Sequence, residues 1–574
     1  MTLQAWARWL RTVRHLQAEQ AAWRLARVLT RNWPERLPHL SCAPATRAAF
    51  PGLPLLHRPK PQGAACLDHL RHGRIELLHQ CFDLDPSAPD WRLGARQTQR
   101  LETITLHYHA WLYELLLAAR ERPAHSAQAI QTAEGLLDSW LRQCDLDAPG
   151  SRDLAWNSFA IATRLTWWLR ALPLSTDALK DRMLSSAYRQ AAYLHAHLEW
   201  DLRGNHLLRD AVGLAWAGRF FEDREAQRWL ETASRLALEQ VQEQVLPDGG
   251  HFERSPMYHL HVMEDVLHLA LLIPEPSVGV RLRAAWGRMA EFAAWIRHSD
   301  GAVALFNDGG FNGACSPEAM LTVGAAALGL SVDARSRQGG RHFKDVGLLV
   351  WHGSPWSVFF DAGDIGPDYQ PGHAHADTLA LEVSYQGTRL FVDPGTYGYD
   401  HDARRRYDRS TAAHNTVCVD DQDSSEVWHI FRVGRRAKVL GVEAHFGADG
   451  FSAEADHDGY AHLEGRPRHF RRVEVRAEAD LSVRDRIEGT GRHRVEGGWL
   501  LAPEWQASPT PGGWEVVNGA LRVAVRLDGP DGVRLSTAEA AYHPEYGLEH
   551  RTVRLQWAWE GELPFGLTTR VEPS

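Results

Sequence analysis

Two histidines stand two residues apart, at His373 and His375, in Pro371-Gly-His-Ala-His-Ala-Asp377. Asp393 follows in Leu390-Phe-Val-Asp-Pro-Gly-Thr-Tyr397, and His414 in Ala413-His-Asn-Thr-Val417. The apolar alternation of Leu379-Ala-Leu-Glu-Val-Ser-Tyr385 predicts a strand from about residue 377. In an extended backbone residues two apart point to one face, so both imidazoles would meet a single site. Asp393 and His414 are candidates to complete a ligand set with one of them. Two imidazoles and a carboxylate suit zinc or a similar divalent ion. The competing reading makes His373 and His375 partly exposed loop residues, with Asp393 starting an Asp-Pro-Gly turn.

Other candidate groups sit at breaks in the earlier part of the chain. Asn205 and His206 lie in Gly204-Asn-His-Leu-Leu, just before an apolar helical run. There Asn205 also suits a helix cap, and His206 a packed histidine. Glu253 and Tyr258 lie in Pro247-Asp-Gly-Gly-His-Phe-Glu-Arg-Ser-Pro-Met-Tyr258, a turn that leads into another helix. Asn307-Asp308-Gly-Gly reads as a turn. A glycoside hydrolase needs two carboxylates across a cleft, and Asp248, Glu253 and Asp308 are the candidates. That function leaves the His-x-His, Asp and His-Asn-Thr block without a purpose. A non-catalytic glycan-binding or exopolysaccharide assembly protein is a third reading.

The elements that must position these groups change character once along the chain. Apolar residues recur every three or four positions from about 100 to about 330, with breaks at Ala148-Pro-Gly, Leu172-Pro-Leu, Pro247-Asp-Gly-Gly and Ile273-Pro-Glu-Pro. This predicts an array of helical hairpins. After Asp345 the period becomes two, in runs such as Val346-Gly-Leu-Leu-Val-Trp and Leu521-Arg-Val-Ala-Val-Arg, which predicts an antiparallel sandwich. The fold class is therefore multidomain, α then β, with three segments: 1–90, 91–340 and 341–574.

The first segment opens with a basic amphipathic helix to about Leu29, with Trp6, Trp9, Leu10 and Val13 on one side. Docking of that side onto the protein's own body is the commoner outcome, and peripheral contact of residues 1–29 with an anionic membrane the other. Arginines at 8, 11 and 14 interrupt any apolar core of a secretory signal, so a cytoplasmic or membrane-peripheral location is expected. No run is long enough for a transmembrane segment. A Pro-rich connector over 33–65 follows. The net charge of -9 gives no reason to expect nucleic acid. Six scattered cysteines without CxxC spacing form neither a disulfide framework nor a thiolate zinc site.

The block Gly-His-Ala-His-Ala-Asp, Phe-Val-Asp-Pro-Gly-Thr-Tyr, Arg404-Arg-Arg-Tyr-Asp-Arg409 and Ala-His-Asn-Thr-Val resembles the heparinase II/III family of polysaccharide lyases. The Gly-Asn-His and Asp-Gly-Gly-His-Phe-Glu-Arg-Ser-Pro-Met-Tyr-His stretches resemble the family's helical-domain motifs. The resemblance implies an N-terminal incomplete (α/α) toroid followed by a C-terminal antiparallel β-sandwich. It also implies β-elimination on a uronic-acid-containing polysaccharide or oligosaccharide. Asn205 would bind the uronate carboxylate with His206 beside it, and Tyr258 would act as acid. Tyr258 would serve as base too for one C5 configuration, and His373 would be the other proton-transfer residue; placed on opposite faces of the sugar ring, the pair would allow either epimer to be processed. His375, Asp393 and His414 would bind a divalent metal ion, zinc by preference, that braces the loops beside the cleft. Asn157, Arg164, Glu253 and Arg409 would contact substrate. Without a visible export signal, processing of a self-made exopolysaccharide or lipopolysaccharide is an alternative to a degradative role.

Overall fold

Helices fill the first part of the chain and strands the second, with the change between Leu328 and Gly339. The computed structural model describes all residues except 1–2, 31–36, 39–43, 48–49, 51, 96–99, 336, 448–449 and 477–479. Much of the Pro-rich connector, and Cys42, therefore lies outside the described residues.

Before the toroid come α1 (Leu3–Val13), α2 (Ala18–Thr30), α3 (Gly63–Arg71) and the hairpin of β1 (Arg74–Leu77) with β2 (Gln80–Asp83). The toroid comprises α4 (Arg100–Leu106), α5 (Ala110–Glu121), α6 (Ser126–Gln143), α7 (Ser158–Ala171), α8 (Asp177–Ala196), α9 (Gly204–Phe220), α10 (Arg224–Gln244), α11 (Pro256–Leu272) and α12 (Pro276–Trp295). Polar side chains start several of these helices: Asn157 caps α7, Thr176 α8, Asp223 α10 and Ser255 α11. Such a cap contributes about 1 kcal/mol by satisfying an otherwise orphaned backbone N–H.

Inner and outer helices differ as their sequences require. α10 buries one stripe, including Trp229, Ala233, Leu236 and Ala237, and is wet on the other side. α9 and α11 are buried almost all round, so they form the inner layer. Gly213 lets α9 touch α7, because a Cβ there would stand 2.7 Å from the Ala162 Cα. Asn205 lies in the first turn of α9 and Tyr258 in the first turn of α11.

The second half opens with an antiparallel meander of β3 (Gly339–Phe343), β4 (Leu348–His352), β5 (Trp356–Asp361), β6 (Leu381–Tyr385) and β7 (Thr388–Phe391). An eight-stranded antiparallel sheet and a four-stranded one complete it. Apolar packing runs without a break from the toroid into the meander, where the Phe343 ring meets Phe292 at 4.8 Å. His352 Nε2 and the Trp295 carbonyl, 2.8 Å apart, add a polar tie across the same junction.

Two expectations change. The N-terminal segment is two helices, not one, broken over 14–17 where the Gln20 side chain accepts the Gln17 N–H at 3.1 Å. Both helices dock by their polar faces. Arg8 and Arg11 pair with Glu426, Arg27 pairs with Asp201, and Glu19 pairs with Arg203. The carboxylates waiting on the body select the arginine face, and Trp6 and Leu10 are left exposed. The predicted strand from 377 begins only at Leu381, and 371–380 is a loop. His373 and His375 consequently do not share a face.

Candidate functional site

A cavity of about 990 Å³ opens between the toroid and the sheets, lined by Asn157, Asn205, His206, Tyr258 and His373 among others. Tyr258 sits in the first turn of α11, placed by the Ser255 cap. Its ring stacks on the His373 imidazole, with centroids 3.8 Å apart and planes 13° apart. His373 Nδ1 meets the Glu253 carboxylate, which is buried. Burial raises the Glu253 pKa, but the imidazole outweighs it and the net shift is downward, so the carboxylate is charged. In the neutral tautomer that this contact selects, Nδ1 carries the proton and Nε2 the lone pair.

The Tyr258 hydroxyl bonds to Tyr399 at 2.9 Å, and Tyr399 to Tyr546 at 2.8 Å. Burial pushes the Tyr258 phenol well above its usual range, which keeps it protonated. Asn205 and His206 occupy the first turn of α9, where the helix dipole favours an anion. The Asn205 N–H lies 3.4 Å from Glu253, which ties this turn to His373. Burial lowers the His206 imidazole, yet Glu199 at 3.1 Å outweighs it and the net shift is upward. An amide, an imidazole biased toward its cation and a helix start thus come together at the cavity wall.

A second cluster lies behind this wall. Donor atoms of His375, Asp393 and His414 fall within 4.8 Å of one another, and all three residues are buried. His375 Nε2 bonds to Asp308 at 2.8 Å and His414 Nδ1 to Asp393 at 2.7 Å. The remaining nitrogens, His375 Nδ1 and His414 Nε2, are buried without a partner. Burial lowers both imidazoles, His375 to about 3, so they are neutral and have lone pairs to give. Two orphaned imidazole nitrogens beside a buried carboxylate fit a divalent ion. The Asp308–His375 bond is the carboxylate–imidazole support that metal-bound histidines usually have.

Family models then match the chain on both sides of this site. The Heparinase II/III N-terminus model covers 90–309, and the Heparinase II/III-like, C-terminal model covers 335–566. The chain belongs to the heparinase II/III family. The crystal structure of heparinase III shares the fold at TM-score 0.72 and 17% identity, over 84% of this chain and 79% of that one. The heparin-sulfate lyase of Pedobacter heparinus is 25% identical over 294 residues, 44% of this chain and 41% of that protein. That match reaches less than half the length of the curated lyase. FtsZ-localized protein C of Caulobacter vibrioides is 25% identical over 451 residues, 71% of this chain and 70% of that protein.

Within this heparinase II/III fold, three residues expected at the substrate are elsewhere. Arg164 is fully buried and spends its guanidinium on Gln190 and the carbonyls of His107 and Ala155. Arg409 is buried too and donates to the carbonyls of Ala374, His429 and Ile430. It grips the peptide between the two loop histidines. Glu253 holds His373 and does not line the cavity. Asn157 lines the cavity and also caps α7. The stacked Tyr258 and His373 rings leave no room for a sugar between them, so the pair stands on one side and not on opposite faces.

Sequence reasoning missed Tyr399, Tyr546 and Arg405. Arg405 was visible within the basic run 404–409 but had no assigned partner. It pairs with both Asp308 oxygens, and the pair is buried. Arg405→Met removes the charge while keeping the length, and strands the Asp308 carboxylate. We expect a loss of about 3–5 kcal/mol in equilibrium urea unfolding. A loss under about 1 kcal/mol would show that the pair is not needed.

Proposed function

We propose that the protein is a polysaccharide lyase that cleaves a uronate-containing glycan by β-elimination. The observation that carries this is the Tyr258–His373 stack, with His373 held by Glu253, on a cavity shared with Asn205 and His206. The C5 proton of a uronate is a poor acid because the adjacent carboxylate is already negative. Asn205, the His206 imidazolium and the start of α9 neutralise that carboxylate, so the enolate-like intermediate becomes accessible. His373 Nε2 takes the C5 proton, and Glu253 stabilises the imidazolium that forms. The C4–O4 bond breaks, its electrons leave with O4, and the C5 electron pair forms the C4=C5 bond. The Tyr258 hydroxyl protonates O4. Stacked together, the imidazolium and the phenolate can then exchange the proton and reset.

Acid and base on one side favour an elimination in which H5 and O4 leave from the same face. That is the glucuronate configuration. Lys60, Arg100, Arg209 and Arg432 also line the cavity and suit an anionic chain. The likeness to heparin-sulfate lyases supports a substrate of glycosaminoglycan type. The hydrolase reading loses its acids: Asp248 accepts the N–H groups of Asp345 and Val346, Asp308 is locked to Arg405, and Glu253 to His373. We also propose that His375, Asp393 and His414 hold a divalent ion, zinc by preference. When bound it supplies rigidity and positive charge behind the His373 loop.

Three measurements test these readings. Incubation with glucuronate-containing glycans should produce ultraviolet-absorbing unsaturated ends, faster than with iduronate-containing ones. Tyr258→Phe should cut kcat about 100- to 10,000-fold with little change in thermal stability. Full activity in that variant would remove Tyr258 from the mechanism. The second concerns pH. A raised His206 pKa means the cation is present below that pKa and lost as pH rises through it, so KM should climb on the alkaline side of 6.5. His206→Gln should flatten that limb, and an unchanged limb would reassign it. For the third, elemental analysis should find about one zinc per chain. His375→Ala should lower both metal content and Tm. Protein that holds no metal and takes up no added zinc in calorimetry would refute the metal proposal.

A further inference from the structure

Eleven large apolar side chains are exposed among the described residues, and seven of them lie between Trp6 and Leu29. That concentration follows from the inverted docking of α1 and α2. Leu10 is 57% exposed, Leu25 60%, Val28 73% and Leu29 65%. In α1, Arg8, Arg11 and Thr12 face the body, and Trp428 donates to Thr12 at 3.1 Å. In α2, the Gln20 and Arg24 side chains donate to the carbonyls of Tyr369 and Asp201. Ordinary surface helices bury the opposite faces. Leaving this much apolar area in water is costly, and patches of this kind mark interaction sites.

The charge around the patch says what fits it. Of the five arginines in residues 1–29, Arg8, Arg11, Arg24 and Arg27 turn to Glu426 and Asp201 on the body, so the outward positive charge comes from the rim. Arg14 is exposed at the turn between the helices, and Arg432 is exposed nearby, its guanidinium 4.8 Å from the Trp428 ring centroid. Arg8 lies over the same ring. Apolar faces rich in Leu, Val and Trp, rimmed by arginine, are the pattern of helices that lie in the interface of an anionic bilayer. No helix among the described residues is long and apolar enough to cross a membrane, so the contact would be peripheral.

We propose that the outer faces of α1 and α2 seat this protein on an anionic lipid surface. Trp9, Val13, Leu16 and Arg24 of the same segment line the cavity. The seated helices therefore also form one wall of the cavity. The proposal stands independently of the lyase reading.

Co-sedimentation of the full chain with phosphatidylcholine vesicles, with and without phosphatidylglycerol, tests it. We expect binding to the anionic vesicles, weakened by salt, and little to the neutral ones. Leu10→Ser, Leu25→Ser, Val28→Ser and Leu29→Ser combined should weaken that binding at least about tenfold without changing Tm. The lipid-composition comparison on the wild type decides the question even if the variant is unstable. Absence of binding to anionic vesicles, equal binding to both kinds, or undiminished binding by a folded variant would overturn the proposal. So would a wild-type dimer in light scattering that the same substitutions dissolve, since the face would then belong to a second copy.

Discussion

Asp308 is the residue on which the site is hung. Its carboxylate receives Arg405 and the His375 ring, its N–H donates to the His373 carbonyl, and its carbonyl accepts the Ser255 hydroxyl. Ser255 caps the helix that carries Tyr258. One turn residue therefore fixes Tyr258, the His373 loop and the His375 ring relative to one another. Burial opposes a charged carboxylate, but Arg405 and His375 outweigh it and hold the group well below the usual range. Because the folded pKa is depressed, this stabilisation is intact at neutral pH and fades only as acid protonates the carboxylate. A buried pair of this kind gains little net energy over an apolar packing. Its return here is geometric.

The two clusters share that support and differ in character. On the cavity side a buried phenol is kept protonated, an imidazole is held by a carboxylate, and Glu199 biases His206 toward its cation. Behind it, Asp377 and Asp393 are buried with Asp361 half-buried beside them, and desolvation pushes their carboxyls up, Asp377 to about 6. Neutral histidines and crowded carboxylates are what a bound cation would relieve. Asn415 stitches this region to the sheets. Its side chain donates to the Leu381 and Val392 carbonyls and accepts the Leu500 N–H.

Helix-then-strand order was legible because a period of 3.6 and a period of 2 are local properties of a chain. The motif block was legible for the same reason. What stayed hidden depends on distant partners. Amphipathicity announces that α1 has two faces, but the carboxylate that picks the inward one, Glu426, is some four hundred positions away in the chain. Arg164 and Arg409 looked like substrate contacts because a sequence does not show that carbonyls wait to consume every donor. A loop at 371–380 broke the alternation that put His373 and His375 on one face, and sent one ring to the cavity and the other behind it. Tyr399 and Tyr546 meet only once the sheets are docked.

That last contact has a consequence for the order in which the site is assembled. Tyr258 comes from the toroid, Tyr399 from the loop after the first sheet, and Tyr546 from the turn between the last long strands. During synthesis the toroid is complete some 250 residues before Tyr546 leaves the ribosome. Until Tyr546 is in place, the hydroxyl line from Tyr258 through Tyr399 is unfinished. Of the side chains in this line Tyr546 comes last in the sequence, so the line closes only once the later strands are in place.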